Sequence, residues 1–373
     1  MCKVLTLLPE VRRRKMAYKN TVITGTGAYV PTEATPNAHF AERQFFNIDQ
    51  TAVANGGTEV IEKFETITGI AERRYVTPDL TASEIGASAA KAAIADAGCD
   101  PETIDQIIVA HNYGDIEHGS IQSDTVPCIA ARIKNILGIK NPACVAYDVL
   151  FGCPGWLQGV IQAEAFMRSG QAKKCLVIGT ETLSRVVDPH DRDSMIYSDG
   201  AGATLIEIKE EDRKRGILTF GTKSYCNDEA FYLFFGRSNR PDSAEDTRYI
   251  KMHGRKIYEF ALNEVPTAMK ECLDASGYGA DALKKIFIHQ ANEKMDDAIV
   301  KRFFRLYNIR QAPEGIMPMS IHSLGNSSVA TVPTLFHLVK SGKKENHHIA
   351  PGDLIMFASV GGGMHINAVT YIV

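Results

Sequence analysis

Residues Gly98 to His111 read GCDPETIDQIIVAH, and much later Gly277 to Gln290 read GYGADALKKIFIHQ. Gly98 aligns with Gly277, Ile104 with Leu283, Ile107 with Ile286 and Val109 with Ile288. Each copy predicts a helix end, a glycine stop, a short polar turn and a strand of branched residues. The correspondence continues downstream. Tyr147 to Thr180 predicts a strand, a corner at Gly152-Cys153, a helix reaching Ser169-Gly170 and a strand from Cys175 to Ile178. Met319 to Ser359 predicts the same order, with its corner at Gly325-Asn326, a stop at Ser341-Gly342 and a strand from Asp353 to Phe357. Such a repeat predicts a duplicated α/β architecture with mixed, largely parallel sheets. Ligands in these folds gather at the carboxyl ends of strands. Cys153, His289 and Asn326 are each predicted to follow a strand, so they are expected to meet in one pocket between the halves.

The corner in the first copy lies within Tyr147-Asp148-Val149-Leu150-Phe151-Gly152-Cys153-Pro154-Gly155-Trp156. The apolar run Ala143 to Phe151 reads as a buried strand, and Pro154 suits the first turn of a helix because its missing N–H is not needed there. Cys153 is thus expected at a helix start, where free N–H groups favour an anion and ease loss of the thiol proton. Taken singly, each residue has a plainer reading. A buried Cys is commonly a small core residue, a His a hydrogen-bonded core residue, and an Asn after Gly a helix cap. Their recurrence at matched corners points to chemistry.

The 373 residues suffice for two domains or one duplicated unit. A net charge of -3 gives no sign of nucleic-acid binding. No apolar run reaches the ~18 residues of a membrane span. Residues 1–15 place Val4 to Leu8 before Arg12-Arg13-Arg14-Lys15, the reverse of a secretory signal, and read as a loose tail with Met16 as a candidate start. The halves are then expected at 16–215 and 216–373. Eight cysteines without a CxxC pair, in a chain needing no disulfides, indicate a reducing cytoplasm. His347-His348 lacks metal-ligand spacing, and no metal is expected. Ser198-Asp199-Gly200-Ala201-Gly202 lacks the lysine of a phosphate loop and reads as a tight turn between strands.

Several separated motifs resemble the thiolase-fold condensing enzymes, most closely the ketoacyl-acyl-carrier-protein synthase III family. They are Gly25-Thr26-Gly27, Thr68-Gly69-Ile70, Asp148 through Trp156, Ser198 through Ala203, Met252-His253-Gly254, His289-Gln290-Ala291-Asn292, Gly325-Asn326-Ser327-Ser328 and Gly361-Gly362-Gly363. The resemblance spans about Asn20 to Val373. It implies a five-layered αβαβα fold and a homodimer. It also implies a two-stage reaction. An acyl group moves from a thioester to Cys153. A malonyl thioester then loses carbon dioxide, and the carbanion attacks the acyl-Cys carbonyl. His289 and Asn326 would form the decarboxylation pair. The backbone N–H groups of Cys153 and Gly363 are the expected oxyanion donors. Substrates are thioesters of coenzyme A or carrier-protein phosphopantetheine, in fatty acid or related lipid and polyketide synthesis, and no further cofactor is implied.

Departures from the family pattern bear on the substrate. Lys63 and Ile67 stand where Trp and Arg clasp adenine in well-known members, whereas Arg192 matches a nucleotide-side arginine. The expectation is weaker coenzyme A binding and a carrier-protein donor. Val126, before Pro127, replaces a Phe that caps the acyl pocket from the partner subunit, and Met364 replaces another Phe. With Met252 and Gly254 these are the expected substrate-binding positions, and smaller or more pliable residues predict a primer longer or bulkier than acetyl. Lys294, Lys301 and Arg302 are the candidate docking patch for an acidic carrier protein, interrupted by Asp296 and Asp297. Two rival readings are a non-decarboxylating condenser or acyltransferase using Asp115 or Glu117 as an added base, and a catalytically silent partner subunit.

Overall fold

The computed structural model describes residues 17–54, 56–243 and 246–373, so the tail at 1–15, Cys2 and Met16 lie outside the described residues. Thirteen strands are described: β1 (Tyr18–Tyr29), β2 (Glu33–Pro36), β3 (Glu72–Tyr75), β4 (Gln106–Ala110), β5 (Val145–Val149), β6 (Lys174–Thr182), β7 (Asp199–Glu211), β8 (Gly216–Ser224), β9 (Leu233–Arg237), β10 (Arg248–Met252), β11 (Leu283–Ile288), β12 (Leu354–Gly361) and β13 (His365–Ile372). The helices are α1 (Gly57–Thr68), α2 (Ala82–Ala97), α3 (Ile129–Leu137), α4 (Gly155–Arg168), α5 (Gly254–Ser276), α6 (Glu293–Arg305), α7 (Ile321–Leu324) and α8 (Thr331–Lys340).

Two sheets carry the duplication. The first has the order β1-β7-β6-β4-β5 and the second β8-β13-β12-β11. In each, the first listed pair of neighbours is antiparallel and so is the next, whereas β6-β4, β4-β5 and β12-β11 are parallel. The sheets are therefore mixed, with the parallel pairs gathered at the ends that carry the corners. Gly98 and Gly277 both close their helices in the left-handed conformation, at φ 60° and 80°. That explains why glycine punctuates both copies.

Hydrophobic patterning sets the layers. α4 and α8 are apolar nearly all round, the signature of a helix buried on both faces. Trp156, Val160, Leu335 and Phe336 pack with Ile108 and Val177 of one sheet and Phe287 and Phe357 of the other. α2 and α3 cover the outer face of the first sheet, and α5 and α6 that of the second. The result is the five-layered αβαβα arrangement. Thr81 and Glu84 form a capping box on α2, with Thr81 N donating to Glu84 Oε2 at 2.7 Å, a device worth about 1 kcal/mol.

Three local expectations change. Ser198 to Gly202 is not a turn, because Asp199 onward is β7; Asp199 is buried and accepts bonds from Val76 N and Ser184. Asn326 follows the short helix α7, not a strand. Cys153 lies just before the helix proper, since Pro154 is the N-cap and α4 begins at Gly155.

Candidate active site

Cys153, His289 and Asn326 come from three separate segments and line one cavity of about 260 Å³. Cys153 follows β5 through Gly152, whose φ of 61° turns the chain sharply. A Cβ at Gly152 would sit 2.8 Å from Gly362 N, and one at Gly361 would sit 2.5 Å from Cys153 N. The corner of the first half and the β12–β13 hairpin of the second thus touch backbone to backbone. Only glycine allows that approach.

His289 directly follows β11, and its N–H donates to Ala358 O at 2.8 Å. The side chain is buried, its Nδ1 has no partner, and burial pushes the ring down to about 4. It is neutral at working pH and can donate from one ring nitrogen. Asn326 is anchored through its backbone to Ile196 O and Ser198 N, each at 2.9 Å. Its Oδ1 accepts from Ser328 N at 2.8 Å, which leaves the amide NH₂ as the end that donates.

The thiol departs from expectation. Burial pushes Cys153 up to about 11, aided by the Glu181 carboxyl and opposed by Ser328, whose Oγ lies 3.4 Å from Sγ. Desolvation in an apolar cavity outweighs the helix end, so the sulfur rests as a thiol. Gly361 and Gly362 belong to the cavity wall, whereas Gly363, expected to supply the second oxyanion donor, does not. It lies against the imidazole of His365, 2.2 Å from where its Cβ would be.

The remaining expected residues divide between this cavity and a second, outer one of about 500 Å³ that shares Ile196, Met252, Ile257, Ala291 and Met295 with it. Met364 is buried in the inner wall. Arg192 and Gly254 line the outer cavity, and Met252 lines both. Lys63 and Ile67, a helical turn apart on α1, face the outer cavity with Arg255. Val126 is 85% exposed and lines neither cavity of its own chain. On α6, Lys294 and Lys301 are exposed, and Lys301 lies 3.6 Å from Asp297. Arg302 is committed elsewhere: it donates to Leu262 O and Asn263 Oδ1 on α5, both at 2.9 Å. Asp296 is fully buried, so Asp297 alone interrupts the patch. Asp115 is held by Ser83 and Arg132, and Glu117 is exposed; neither lines the cavity.

Sequence reasoning missed several wall residues. Tyr113 stacks on Phe235 at 5.2 Å, bringing the segment after β4 against the β9–β10 hairpin. Lys251, fully buried, donates to Asp188 at 2.6 Å, Asn239 at 2.8 Å and Asp191 at 3.0 Å. This cluster ties β10, and with it Met252, to the segment leading into Arg192. Asn112, Glu181 and Ser328 form a polar group behind Cys153. A Glu in the apolar run Cys175 to Thr182 was the one available sequence signal for it.

Among the described residues no helix is long and apolar enough to cross a membrane, and no cluster of His, Cys, Asp or Glu could hold a metal ion.

Comparison with known proteins places this geometry in a lineage. The description 3-oxoacyl-[acyl-carrier-protein (ACP)] synthase III matches residues 147–225, and its C-terminal counterpart matches 273–372. A beta-ketoacyl-[acyl-carrier-protein] synthase III of Sphingopyxis alaskensis is 30% identical over 92% of this chain and 96% of its own. One from Bradyrhizobium diazoefficiens is 29% identical over 92% and 95%. Among solved structures, the synthase III of Thermus thermophilus superposes with a TM-score of 0.78 at 27% identity, covering 94% of this chain and 99% of that one. The Aquifex aeolicus protein gives 0.76 at 28%, covering 95% and 100%. The chain belongs to the beta-ketoacyl-[acyl-carrier-protein] synthase III family of condensing acyltransferases.

Proposed function

We propose that Cys153 accepts an acyl group from a thioester and that His289 and Asn326 then hold the enolate formed when a malonyl thioester loses carbon dioxide. The observation that carries this reading is the meeting of all three side chains in one largely apolar cavity. Thiolate is a strong nucleophile and a good leaving group, so one sulfur serves both the making and the breaking of the acyl bond. A neutral His289 suits the second stage because a protonated ring is not needed to donate a hydrogen bond. Each donor aimed at developing negative charge in such a site is worth about 2.7–4 kcal/mol. Cys153 N–H is the nearest donor for the acyl oxygen, with the glycine run of the β12–β13 hairpin beside it. These steps use side chains and the substrate's own thioester arm.

The outer cavity suits a phosphopantetheine arm, with Lys63, Arg192 and Arg255 as cations for its phosphate. An acyl carrier protein is the proposed donor, guided by Lys294 and Lys301. The pliable wall at Met252 and Met364 supports a primer longer than acetyl. A second copy of the chain is proposed along β5, the open edge of the first sheet, where Val145 is 54%, Leu150 66% and Val126 85% exposed. An uncovered edge with apolar side chains is a surface that folded proteins normally cover. The cysteine usage favours a cytoplasmic setting.

The test is a donor-by-extender matrix. Purified protein is offered acyl thioesters of increasing length on coenzyme A and on carrier protein. Mass spectrometry follows the adduct on Cys153, and malonyl thioester is then added while carbon dioxide is measured. An adduct without carbon dioxide release would sink the decarboxylating reading. A clear preference for acetyl would sink the primer claim.

A further inference from the structure

We infer that Glu181 is the proton acceptor for Cys153, acting through the hydroxyl of Ser328. This rests on the reading of Cys153 as the acylated nucleophile and adds the missing base to it. The need is visible in the site. The sulfur rests as a thiol, and no hydrogen bond joins it to His289, which burial holds neutral and which is a poor base. Ser328 Oγ is the hydroxyl at the sulfur, 3.4 Å away.

The arrangement around that hydroxyl is specific. Asn112 Nδ2 donates to Ser328 Oγ at 3.0 Å and also to Glu181 Oε1. Asn112 takes one of the two lone pairs of the serine oxygen; the other is free to accept the thiol proton as the serine's own proton moves on. That hydroxyl faces Cys153 Sγ, and Asn112 Nδ2, by bonding both, holds the Glu181 carboxyl beside it. Ser328 adopts φ 50°, unusual for a residue other than glycine, and is pinned there by its N–H to Asn326 Oδ1. A strained backbone that aims a hydroxyl at a nucleophile is a reason to ask for function. Glu181 sits near the end of β6 with 2% exposure, and the rest of Cys175 to Thr182 is apolar or hydroxylated. Burial pushes its carboxyl up to about 8, close to the range in which a general base works best.

The step balances without an outside reagent. The Cys153 S–H bond breaks and its proton passes to Ser328 Oγ as the serine proton passes to Glu181. The new thiolate attacks the thioester carbonyl, the Sγ–acyl bond forms and the donor's C–S bond breaks. The departing thiolate takes a proton back from the Glu181 acid through the same hydroxyl, so the carboxylate is restored. Glu181 touches no substrate and is a positioning and proton-holding residue. In the condensation stage it has no task, because the sulfur leaves as a thiolate and takes a proton from water afterwards.

The experiment separates the two stages in Glu181→Gln and Ser328→Ala. Acylation of Cys153 is followed in single turnover by intact-protein mass, and condensation is followed from protein already acylated. Glu181→Gln is expected to slow acylation about 100-fold and to leave condensation within about threefold. The wild-type acylation rate is expected to climb as pH passes about 8, and this limb is expected to vanish in Glu181→Gln. Ser328→Ala should match that loss, and the double variant should lose no more than either single one. If Glu181 were only a nearby negative charge, its removal would ease thiol ionisation and speed acylation, the opposite sign. Equal or faster acylation in Glu181→Gln, or equal slowing of both stages, overturns the relay. Iodoacetamide alkylation of Cys153 across pH repeats the comparison without a thioester, and Glu181→Asp covers the case of a misfolded Gln variant. Failure of the wild-type protein to form any adduct on Cys153 would instead overturn the functional reading itself.

Discussion

The first half of the molecule holds its corner with a strand, and the second half holds the equivalent corner without one. β5 lies beside β4 in full parallel register and delivers the chain to Cys153. Beside β11 the matching segment, Gly315-Ile316-Met317-Pro318-Met319-Ser320, makes a single ladder-like bond, from Ile286 N to Ile316 O at 2.8 Å. Pro313 and Pro318 cannot donate, and Gly315 takes φ 66°, so a strand cannot continue there. The side chain of Gln290 takes over. It donates to Pro318 O at 2.8 Å and accepts from Ser320 N at 2.8 Å and Ile321 N at 3.0 Å. In the first copy the same position is His111, whose Nδ1 accepts from Gly114 N at 2.9 Å and whose Nε2 meets Asp148 at 2.8 Å. Both halves use the residue at this matched position, one past β4 and two past β11, as a brace. One braces the carboxylate that caps α3, and the other replaces a missing strand.

The halves also divide the chemistry, and the largest expected effects test that division. Cys153→Ala should abolish both stages, since without the sulfur there is no acyl intermediate; loss of product to background is the measurement. His289→Ala should leave the acyl adduct on Cys153 and slow condensation by about 10²–10³-fold, the cost of one oxyanion donor. If this variant also fails to form the adduct, the split between halves is broken.

The braces give a smaller effect, read as stability. Gln290→Ala leaves two N–H groups and a carbonyl unpaired in a buried place, and an unsatisfied buried group costs about 1–3 kcal/mol. His111→Ala should cost less, since Asp148 keeps its bonds from Ile129 N and Ala130 N. Denaturant titration of both variants measures the difference. A milder loss for Gln290→Ala would mean that the segment from Pro313 to Ser320 holds its place unaided.

A further effect is confined to a pH window. His289 is depressed to about 4 in the fold, against ~6.5 in an unfolded chain. Between those values the unfolded chain binds more protons. The stability held by the neutral ring is therefore complete above pH 6.5 and is lost as pH falls toward 4. His289→Gln should flatten the unfolding free energy over that window relative to wild type. An unchanged slope would show that the ring is not held neutral by burial.

Much of this was legible from spacing alone. Left-handed glycines at 98 and 277, branched strands behind them and Gly–Cys and Gly–Asn corners are local signals, and they survive folding because backbone conformation and burial periodicity are properties of short segments. The strand expected from Met319 to the corner is absent because Gln290, a residue distant in sequence, satisfies Ser320 N and Ile321 N and the chain then turns into α7. The acidity of Cys153 was misread because a helix start is visible in sequence and desolvation is not.

By itself the sequence determined the duplication, the order of elements and the three side chains that meet in the cavity. The tertiary structure alone decided that Arg302 ties α6 to α5, that Asp296 is buried, that Gln290 stands in for a strand, and that Glu181 and Ser328 lie behind the sulfur. Those facts depend on contacts between segments far apart in the chain and on how much water is excluded at each one. Neither quantity is written in any local run of residues.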